Sequence, residues 1–275
     1  MVEQISLYGS TGFIGSNFSK LESLKIDKVD RNNPNPKFKD VIYAIGTTDN
    51  YNIFENPKLD IETNLIKLIE DLEILRKKFG TFTFNYLSSW FVYGDSKPLP
   101  YSVSNNCNPK GFYSISKFAA EKFLISYCLT YKINYRILRL SNIYGINDQG
   151  ISAKKNALQF LINRIKLNEK IDLYEGGNFL RDYLDVRDAV TAINLIVNNG
   201  ELNKIYNVGS GKPTLFIDLM NKAKEIFNSS SEFAHIQTPE FHRIVQVKDA
   251  YLDILDLSDL GFVPKYDIMH EIINL

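Results

Sequence analysis

The spacing of apolar residues along the chain predicts strands that alternate with helices. Short apolar runs predict strands at residues 4–8, 25–29, 40–46, 81–87, 135–140, 170–174 and 205–207. Helical spacing predicts helices that begin near residue 13 and at Tyr113 and that cover residues 57–79, 156–166, 185–197 and 214–227. This alternation is typical of an α/β fold in which helices cover both faces of a parallel sheet.

The composition is that of an ordinary globular protein. Of the 275 residues, 44% are hydrophobic and 23% are charged, and 32 basic residues balance 32 acidic ones. This balance gives no indication of a nucleic-acid or membrane partner. Two cysteines, and three histidines without ligand spacing, argue against a disulfide framework and against a metal site. With no signal peptide and no apolar run near about 18 residues, we expect a cytoplasmic protein.

A glycine-rich segment follows the first predicted strand. Gly9, Gly12 and Gly15 lie in the sequence GSTGFIG, between that strand and a helix that begins at about Phe13. Glycines let the backbone turn tightly and approach a ligand, and the helix N-terminus offers N–H groups to a pyrophosphate. The position of this loop predicts a dinucleotide-binding fold.

Asp30 and Arg31 end the second predicted strand. An acidic residue about 20 positions after the glycines usually binds the adenosine ribose hydroxyls, which favours NAD. Arg31 would instead suit the 2′-phosphate of NADP, so both cofactors stay open, with NAD preferred. The alternative is that both residues only begin a polar loop, because NNPNP follows at once.

Tyr113 and Lys117 are four positions apart in the sequence YSISK, which places both side chains on one face of a helix. A phenol has a pKa near 10, and lowering it to about 7 requires roughly 4 kcal/mol. An ammonium about 4 Å away supplies that much at an effective dielectric near 20. The pair therefore predicts a tyrosine that exchanges protons near neutral pH, although the spacing alone is also met by chance on helix surfaces.

Six segments together resemble the extended short-chain dehydrogenase/reductase family, in particular its nucleotide-sugar epimerases, dehydratases and reductases. They are GSTGFIG, SSWFVYG, YSISK, RLSNIYG, GNFLRDYLDVRD and YNVGSG, which begin at residues 9, 88, 113, 139, 177 and 206. The resemblance covers nearly the whole chain. It implies a Rossmann-type doubly wound parallel sheet formed by residues 1–145 plus about 182–207. A smaller lobe, about 146–181 plus 208–275, would bind the nucleotide sugar.

The resemblance also implies a role for individual residues. Tyr113 would be the acid/base, Lys117 would depress its pKa and hold the nicotinamide ribose, and Ser89 would hydrogen-bond the substrate oxygen. Backbone N–H groups of Phe13 and Ile14 would bind the pyrophosphate. The residues implied to line the nicotinamide side are Ile45, Gly46, Thr47, Asn64 and Ser88. Those implied to hold the diphosphate of the sugar are Asn142, Asn156, Arg181 and Arg243, of which the two arginines suit phosphate oxygens by charge.

Two departures from the family pattern change the expectations. Trp90 and Phe91 stand where the family's 4,6-dehydratases carry an Asp-Glu pair, and apolar rings cannot move protons, so we expect no 4,6-dehydration. Only about ten residues separate Asp30 from Asp40, too few for a strand–helix unit of a dozen or more. The sheet is therefore expected to lack one edge strand and helix, and the adenine pocket to be thin.

Together the motifs predict an enzyme that acts on an NDP-hexose, most plausibly as an NAD-dependent 4-epimerase. An NADPH-dependent reductase of a keto sugar is the alternative, and a catalytically silent nucleotide-binding protein is a third reading. The resemblance further implies a homodimer in which the 57–79 and Tyr113 helices of two copies form a four-helix bundle.

Overall fold

Twelve strands are present in the part of the chain that a computed structural model describes, residues 2–48, 50–146, 148 and 157–275. In chain order they are β1 (Gln4–Tyr8), β2 (Lys25–Val29), β3 (Asp40–Tyr43), β4 (Thr83–Ser89), β5 (Asn134–Leu140), β6 (Asn142–Tyr144), β7 (Ile171–Tyr174), β8 (Leu180–Arg181), β9 (Tyr183–Asp185), β10 (Lys204–Val208), β11 (Thr214–Leu215) and β12 (Phe233–Ile236). Six of them form one parallel sheet in the order β10-β5-β4-β3-β1-β2.

The helices of the described residues alternate with these strands. They are α1 (Phe13–Phe18), α2 (Asn52–Glu55), α3 (Leu59–Ile61), α4 (Lys67–Phe79), α5 (Phe112–Tyr131), α6 (Ala157–Lys166), α7 (Val186–Asn199), α8 (Phe216–Ile226), α9 (Glu240–Val245), α10 (Leu255–Ser258) and α11 (Ile268–Glu271). The α/β architecture and the parallel Rossmann-type sheet predicted from the sequence are confirmed. Within the described ranges, no helix is both long and apolar enough to cross a bilayer.

Both faces of the inner strands of the central sheet are buried, which explains why consecutive apolar residues occur in them, such as Val41 and Ile42 of β3. On one face, Ile5, Leu7 and Leu138 pack with Ile193 and other residues of α7. On the opposite face, residues of α4 and α5 cover tyrosines of three neighbouring strands. These tyrosines, Tyr8, Tyr43 and Tyr86, are in register across β1, β3 and β4.

A third hydrophobic cluster lies apart from the sheet, between α6 and α8. It includes Ile162, Leu173, Leu219 and Ile272, all of which are buried. The predicted division of the chain into two regions stays a prediction. Leu257, which that division assigns to the smaller lobe, packs in the core on the α7 face of the sheet.

The connection between β2 and β3 is short, as the sequence predicts. Residues 30–39 contain neither strand nor helix, and β2 pairs only with β1. The hydroxyl of Ser6 accepts the N–H groups of Lys37 and Phe38 at 3.1 and 2.8 Å, which holds this connection against the buried strand β1. The edge of the sheet beside β2 is therefore not covered by a further strand–helix unit.

Several predicted boundaries differ from the observed ones. The helix predicted over residues 57–79 begins at Leu59 and contains one π-helical turn at Glu62–Ile66 between α3 and α4. The fourth strand runs on to Ser89 because Ser88 and Ser89 pair with β5, whereas β3 ends at Tyr43. Thr214 starts a two-residue strand rather than a helix, because it pairs with Arg181.

The glycine-rich loop offers a test of this packing. A Cβ at Gly15 would lie 2.2 Å from the backbone oxygen of Gly9, whereas a Cβ at Gly12 would lie 3.4 Å from the same atom. Because backbone cannot move aside cheaply, Gly15→Ala is expected to lower the free energy of unfolding by about 1–3 kcal/mol. Gly12→Ala is the control, with an expected loss of about 1 kcal/mol or less. Equal losses in chemical denaturation would contradict the close contact.

Candidate active site

Tyr113 and Lys117 lie at the start of α5, where the helix packs against the end of β4. The helix is capped by Gly111, whose N–H donates to the Ser114 hydroxyl at 2.9 Å, and that hydroxyl also bonds the Gly111 carbonyl oxygen. Both functional side chains are buried, with 8% of Tyr113 and 4% of Lys117 exposed. The structure thus buries both residues near the N-terminus of one helix, while their roles as acid/base and cation stay predictions.

The ammonium of Lys117 has few partners for a buried charge. Its Nζ donates to the backbone oxygen of Leu87 at 2.7 Å and lies 4.2 Å from the centre of the Tyr86 ring. Burial lowers the pKa of Lys117 to about 7, while the carboxylate of Glu121 acts in the opposite direction. A lysine in this state is able to change its charge near neutral pH.

Ser89 ends β4 beside a pair of aromatic rings. Its hydroxyl accepts the N–H of Phe91 at 3.3 Å and thereby caps the 3₁₀ turn Trp90–Tyr93. The rings of Trp90 and Phe91 stack with centres 4.0 Å apart, and Phe91 meets the ring of Tyr113 edge-on at 5.9 Å. The wall next to the tyrosine is therefore aromatic, as the sequence indicates.

The π-helical turn places Asn64 against the loop that follows β3. The Asn64 amide donates to the hydroxyls of Thr47 at 2.7 Å and Ser116 at 2.8 Å, and its oxygen accepts the Thr47 N–H at 3.0 Å. A Cβ at Gly46 would lie 3.2 Å from Asn64 Oδ1 and 3.3 Å from Lys117 Nζ. Gly46, predicted for the nicotinamide side, thus lies next to both Lys117 and Asn64, and Asn64 is bonded to Thr47. A π-turn is a frequent feature of functional sites.

The glycine loop lies at the same edge of the sheet. Gly9 has a φ of +79°, and a Cβ there would lie 2.8 Å from the backbone of Ala44, next to the buried Ile45. Phe13 and Ile14 are the first two residues of α1, where backbone N–H groups have no intrahelical acceptor. A loop that only glycine fits, at the carboxyl ends of parallel strands, suits a dinucleotide. The residues present therefore fit the cofactor that this fold implies.

Asp30 and Arg31 are exposed at the end of β2. One oxygen of Asp30 accepts the N–H groups of Asn32 at 2.7 Å and Asn33 at 2.9 Å, and these bonds lower the pKa of its carboxyl group. Arg31 Nη2 donates to the hydroxyl of Thr63 at 3.3 Å. Both residues thus help to order the loop that they begin, and their roles toward an adenosine stay predictions.

The residues predicted to bind the sugar diphosphate are Asn142, Asn156, Arg181 and Arg243, and the structure describes three of them. Arg181 is partly buried, donates to the backbone oxygens of Leu180, Val247 and Lys248, and lies 5.6 Å from the Trp90 ring centre. Asn142 donates to the backbone oxygen of Asp182 at 2.9 Å, which fixes its amide within the fold. Arg243 is exposed on α9, and Asn156 lies outside the described residues.

Two residues of the site region were missed by sequence reasoning. Glu121 accepts the hydroxyl of Ser88 at 2.5 Å and forms a bidentate ion pair with Arg139 at 3.1 and 2.7 Å. Glu121 follows Lys117 by four residues, so helical spacing alone could have placed it on the same face. Its partner on β5 is 18 residues away and depends on tertiary contact.

The buried lysine predicts how stability depends on pH. In unfolded chains lysine keeps a pKa near 10.5, so above about pH 7 only the unfolded state binds this proton. The free energy of unfolding therefore rises by about 1.4 kcal/mol per pH unit between about pH 7 and 10. Lys117→Met is expected to remove this slope in denaturation curves, whereas Lys122→Met, an exposed control on α5, should retain it. An unchanged slope in Lys117→Met would contradict the assigned burial.

Comparison with known proteins identifies the family of this site. Residues 20–209 match the model of the NAD dependent epimerase/dehydratase family. The chain is 30% identical over 296 aligned positions to a putative UDP-glucose 4-epimerase of Methanocaldococcus jannaschii, with 96% of this chain and 94% of the relative covered.

Solved structures share the fold. The UDP-glucose 4-epimerase of Thermotoga maritima, crystallised with UDP-glucose, superposes on this chain with a TM-score of 0.84 at 22% sequence identity. The alignment covers 98% of this chain and 96% of the epimerase chain. RMD of Pseudomonas aeruginosa, complexed with NADPH, gives 0.84 at 22% identity, with coverages of 99% and 97%. Because the family model matches most of its length, the chain belongs to the NAD-dependent epimerase/dehydratase family, whose members include nucleotide-sugar epimerases, dehydratases and reductases.

Proposed function

We propose that the protein is a nucleotide-sugar 4-epimerase that acts on an NDP-hexose with NAD as cofactor. The observation that carries this proposal is the burial of Tyr113 and Lys117 on one helix, with Gly46 next to the Lys117 ammonium and the end of β4 accepting its hydrogen bond. The similarity to a putative UDP-glucose 4-epimerase along nearly the whole chain makes UDP-glucose the first substrate to test.

In this proposal Tyr113 moves the proton of the sugar hydroxyl. The phenolate takes the proton from the C4 oxygen, and the Ser89 hydroxyl hydrogen-bonds that oxygen and holds it in reach. After the 4-keto sugar has rotated in the pocket and presented its other face, Tyr113 returns the proton to the C4 oxygen. The ammonium of Lys117 favours the phenolate by its charge, and the effect is large because the pair is buried.

NAD, when bound, supplies the acceptor and later the donor of the C4 hydride. The backbone of the loop from Gly9 to Gly15, including the N–H groups of Phe13 and Ile14, would hold the pyrophosphate. Asp30 would bind the adenosine ribose, while Gly46, Thr47 and Ser88 would border the nicotinamide, as would Ile45 and Asn64. Arg181 and Arg243 would hold the diphosphate of the substrate, together with Asn142 and Asn156.

The aromatic wall disfavours 4,6-dehydration. Removal of water from C5 and C6 needs an acid and a base near those carbons, and Trp90 and Phe91 can provide neither. Both rings stack together beside Tyr113, so no carboxylate occupies that part of the wall. The chemistry of the proposed site therefore stops at proton and hydride transfer.

A reductase that uses NADPH is the second candidate. It is supported by Arg31, whose guanidinium stands next to Asp30 and suits a 2′-phosphate, and by the uncovered edge beside β2, which favours a loosely held cofactor. Mass spectrometry of small molecules released from the denatured protein separates the two. Retained nicotinamide dinucleotide supports the epimerase, which recycles its cofactor in place, and its absence supports the reductase.

We also propose that the protein is a homodimer through α4 and α5. The two helices lie side by side, with Tyr127 of α5 donating to Glu73 of α4 at 2.5 Å. Their outer faces expose large apolar side chains, which a second copy of the chain would cover. They are Ile66, Ile69, Ile115, Phe123 and Leu129, between 37% and 68% exposed.

Substitution of the proposed acid/base is the direct test of function. Tyr113→Phe is expected to lower the rate of C4 inversion of UDP-glucose by about 10²- to 10⁴-fold, because the proton then has no carrier. Tyr127→Phe is the matched control on the same helix, with an expected rate close to that of the wild type. Wild-type turnover in Tyr113→Phe would contradict the proposed mechanism.

The homodimer predicts the effect of a charge on its interface. Ile115→Lys is expected to give a monomer in sedimentation velocity, since the interface would then bury a charge among apolar side chains. Leu167→Lys, at a side chain 69% exposed beyond the end of α6, should leave the dimer intact. A wild-type monomer at micromolar concentration would disprove this interface.

A further inference from the structure

Behind the lysine of the site, a chain of polar contacts crosses the interior from β4 to β5. The hydroxyl of Ser88 donates to Glu121 Oε1 at 2.5 Å, and Glu121 receives two hydrogen bonds from the guanidinium of Arg139. Glu121 is 1% exposed and Arg139 is 3% exposed. The guanidinium also lies 4.7 Å from the centre of the Tyr93 ring.

Burying this ion pair has a high cost in desolvation free energy. Removing two charges from water costs more than an isolated ion pair commonly returns, so apolar residues of similar volume are often as stable or more stable. Arg139 Nη1 moreover has no hydrogen-bond partner among the described residues. Stability alone therefore does not explain the pair, and its position next to the proton-transfer residues suggests a role there.

Glu121 is placed to affect the charge of Lys117. It follows Lys117 by one helical turn on α5, so the two side chains are neighbours on the buried face of the helix. Among the described residues, the phenols of Tyr113 on α5 and Tyr86 on β4 also lie near the ammonium. A second buried carboxylate, that of Asp60 on α3, accepts the Thr47 hydroxyl and is linked through it to Asn64, next to Gly46. Arg139 lies on the far side of Glu121, on β5, with Tyr93 and Cys107 near its guanidinium. Glu121 is thus a negative group one helical turn from the buried cation, on the helix that carries it.

Glu121 also holds the end of β4. Ser88, which it binds, stands between Leu87, whose backbone oxygen accepts Lys117 Nζ, and Ser89, which is proposed to bind the substrate oxygen. A displacement of Ser88 would therefore move both the acceptor of the ammonium and the hydroxyl that faces the sugar. One carboxylate thereby links β4 and β5 to the helix that carries Tyr113.

We propose that Glu121 is a positioning residue of the proton-transfer site, whose carboxylate favours the charged form of Lys117 and fixes the end of β4 through Ser88. This inference rests on the proposed function, because it assigns Lys117 the task of favouring the Tyr113 phenolate. Its consequence is a dependence on pH: without the carboxylate, Lys117 loses its proton more readily, and Tyr113 gives up its own only at higher pH.

The pH profile of kcat/KM for C4 inversion of UDP-glucose tests the charge. In Glu121→Gln the acid limb is expected to move upward by on the order of one to two pH units, the effect of one charge about 6 Å away at an effective dielectric near 20. At a fixed pH on that limb, this shift is a loss of about 10- to 100-fold. Glu121→Asp, which retains the charge, is expected to restore most of the shift.

Two further variants separate charge from folding. The double variant Glu121→Gln/Arg139→Gln leaves no buried unpaired guanidinium and so folds better, but it also removes the positive charge of Arg139. Its acid limb is therefore expected to move upward by less than that of Glu121→Gln, because Arg139 is the more distant of the two charges. Asp71→Asn removes another buried carboxylate, which pairs with Lys67 at 2.7 Å and accepts the Tyr43 hydroxyl, and should leave the midpoint unchanged. The Tyr113 phenolate is also titrated by near-ultraviolet absorbance, as the difference between each variant and the same variant with Tyr113→Phe. The midpoints of these titrations should rank the variants in the same order as the acid limbs of kcat/KM.

Ser88→Ala tests the positioning role. It keeps both charges and removes the hydroxyl bridge, so kcat should fall about 10-fold with the midpoint of the acid limb unmoved. The inference is overturned if the acid limbs of Glu121→Gln and of Glu121→Gln/Arg139→Gln both lie at the wild-type pH. It is also overturned if Asp71→Asn shifts the acid limb as far as Glu121→Gln does. If Tyr113→Phe also retains full turnover, the proposed function itself is wrong, whereas a strong loss in Tyr113→Phe confines the failure to Glu121.

Discussion

The burial of one ammonium, that of Lys117, is the constraint on which the site depends. A buried cation must be hydrogen-bonded, and among the described residues Lys117 meets this requirement with one backbone oxygen at the end of β4 and the face of an aromatic ring. That requirement fixes the distance between α5 and the sheet at this point. Because Tyr113 lies one turn earlier on the same helix, the position of the acid/base follows from the position of the lysine.

The neighbouring features follow from the same crossing of helix and sheet. Gly46 leaves room beside the ammonium, and the π-turn brings Asn64 to the loop after β3, where it bonds Thr47 and the α5 residue Ser116. On the other side, β4 continues through Ser88 to Ser89, and Glu121 binds the first of these serines. The proposed site is therefore built where three elements meet, and the π-turn and β4 are each held to α5 by hydrogen bonds.

Much of this could be predicted from the sequence because the signals are local. The glycines after β1, the four-residue spacing of Tyr113 and Lys117 and the short segment after Asp30 are all readable within a few residues. The pairing of Glu121 with Arg139 could not be predicted, since it joins a helix to a strand. The π-turn could not be predicted either, because its residues have ordinary helical spacing and only the tertiary contacts of Asn64 reveal it. The two-region division and the dimer remain predictions.

The edge of the sheet beside β2 carries no further strand–helix unit among the described residues, and the proposed site is formed without one. The short 30–39 segment is bonded to Ser6 of the neighbouring strand, so the first strands stay in register although no further strand follows. The residues proposed to be catalytic lie on β4 and α5, away from this edge. Loss of the unit therefore affects the adenosine side of the proposed cofactor site and leaves the proton-transfer site complete.

The most direct measurement of the central claim follows the hydrogen at C4 during turnover. UDP-glucose that carries deuterium at C4 is incubated with the protein in ordinary water, and the inverted sugar is analysed by mass spectrometry and NMR. If Tyr113 and Lys117 serve hydride transfer, the deuterium stays on C4 of the product, because hydride on the cofactor does not exchange with water. Inversion with loss of deuterium to the solvent would contradict a redox site and indicate removal of a proton from carbon.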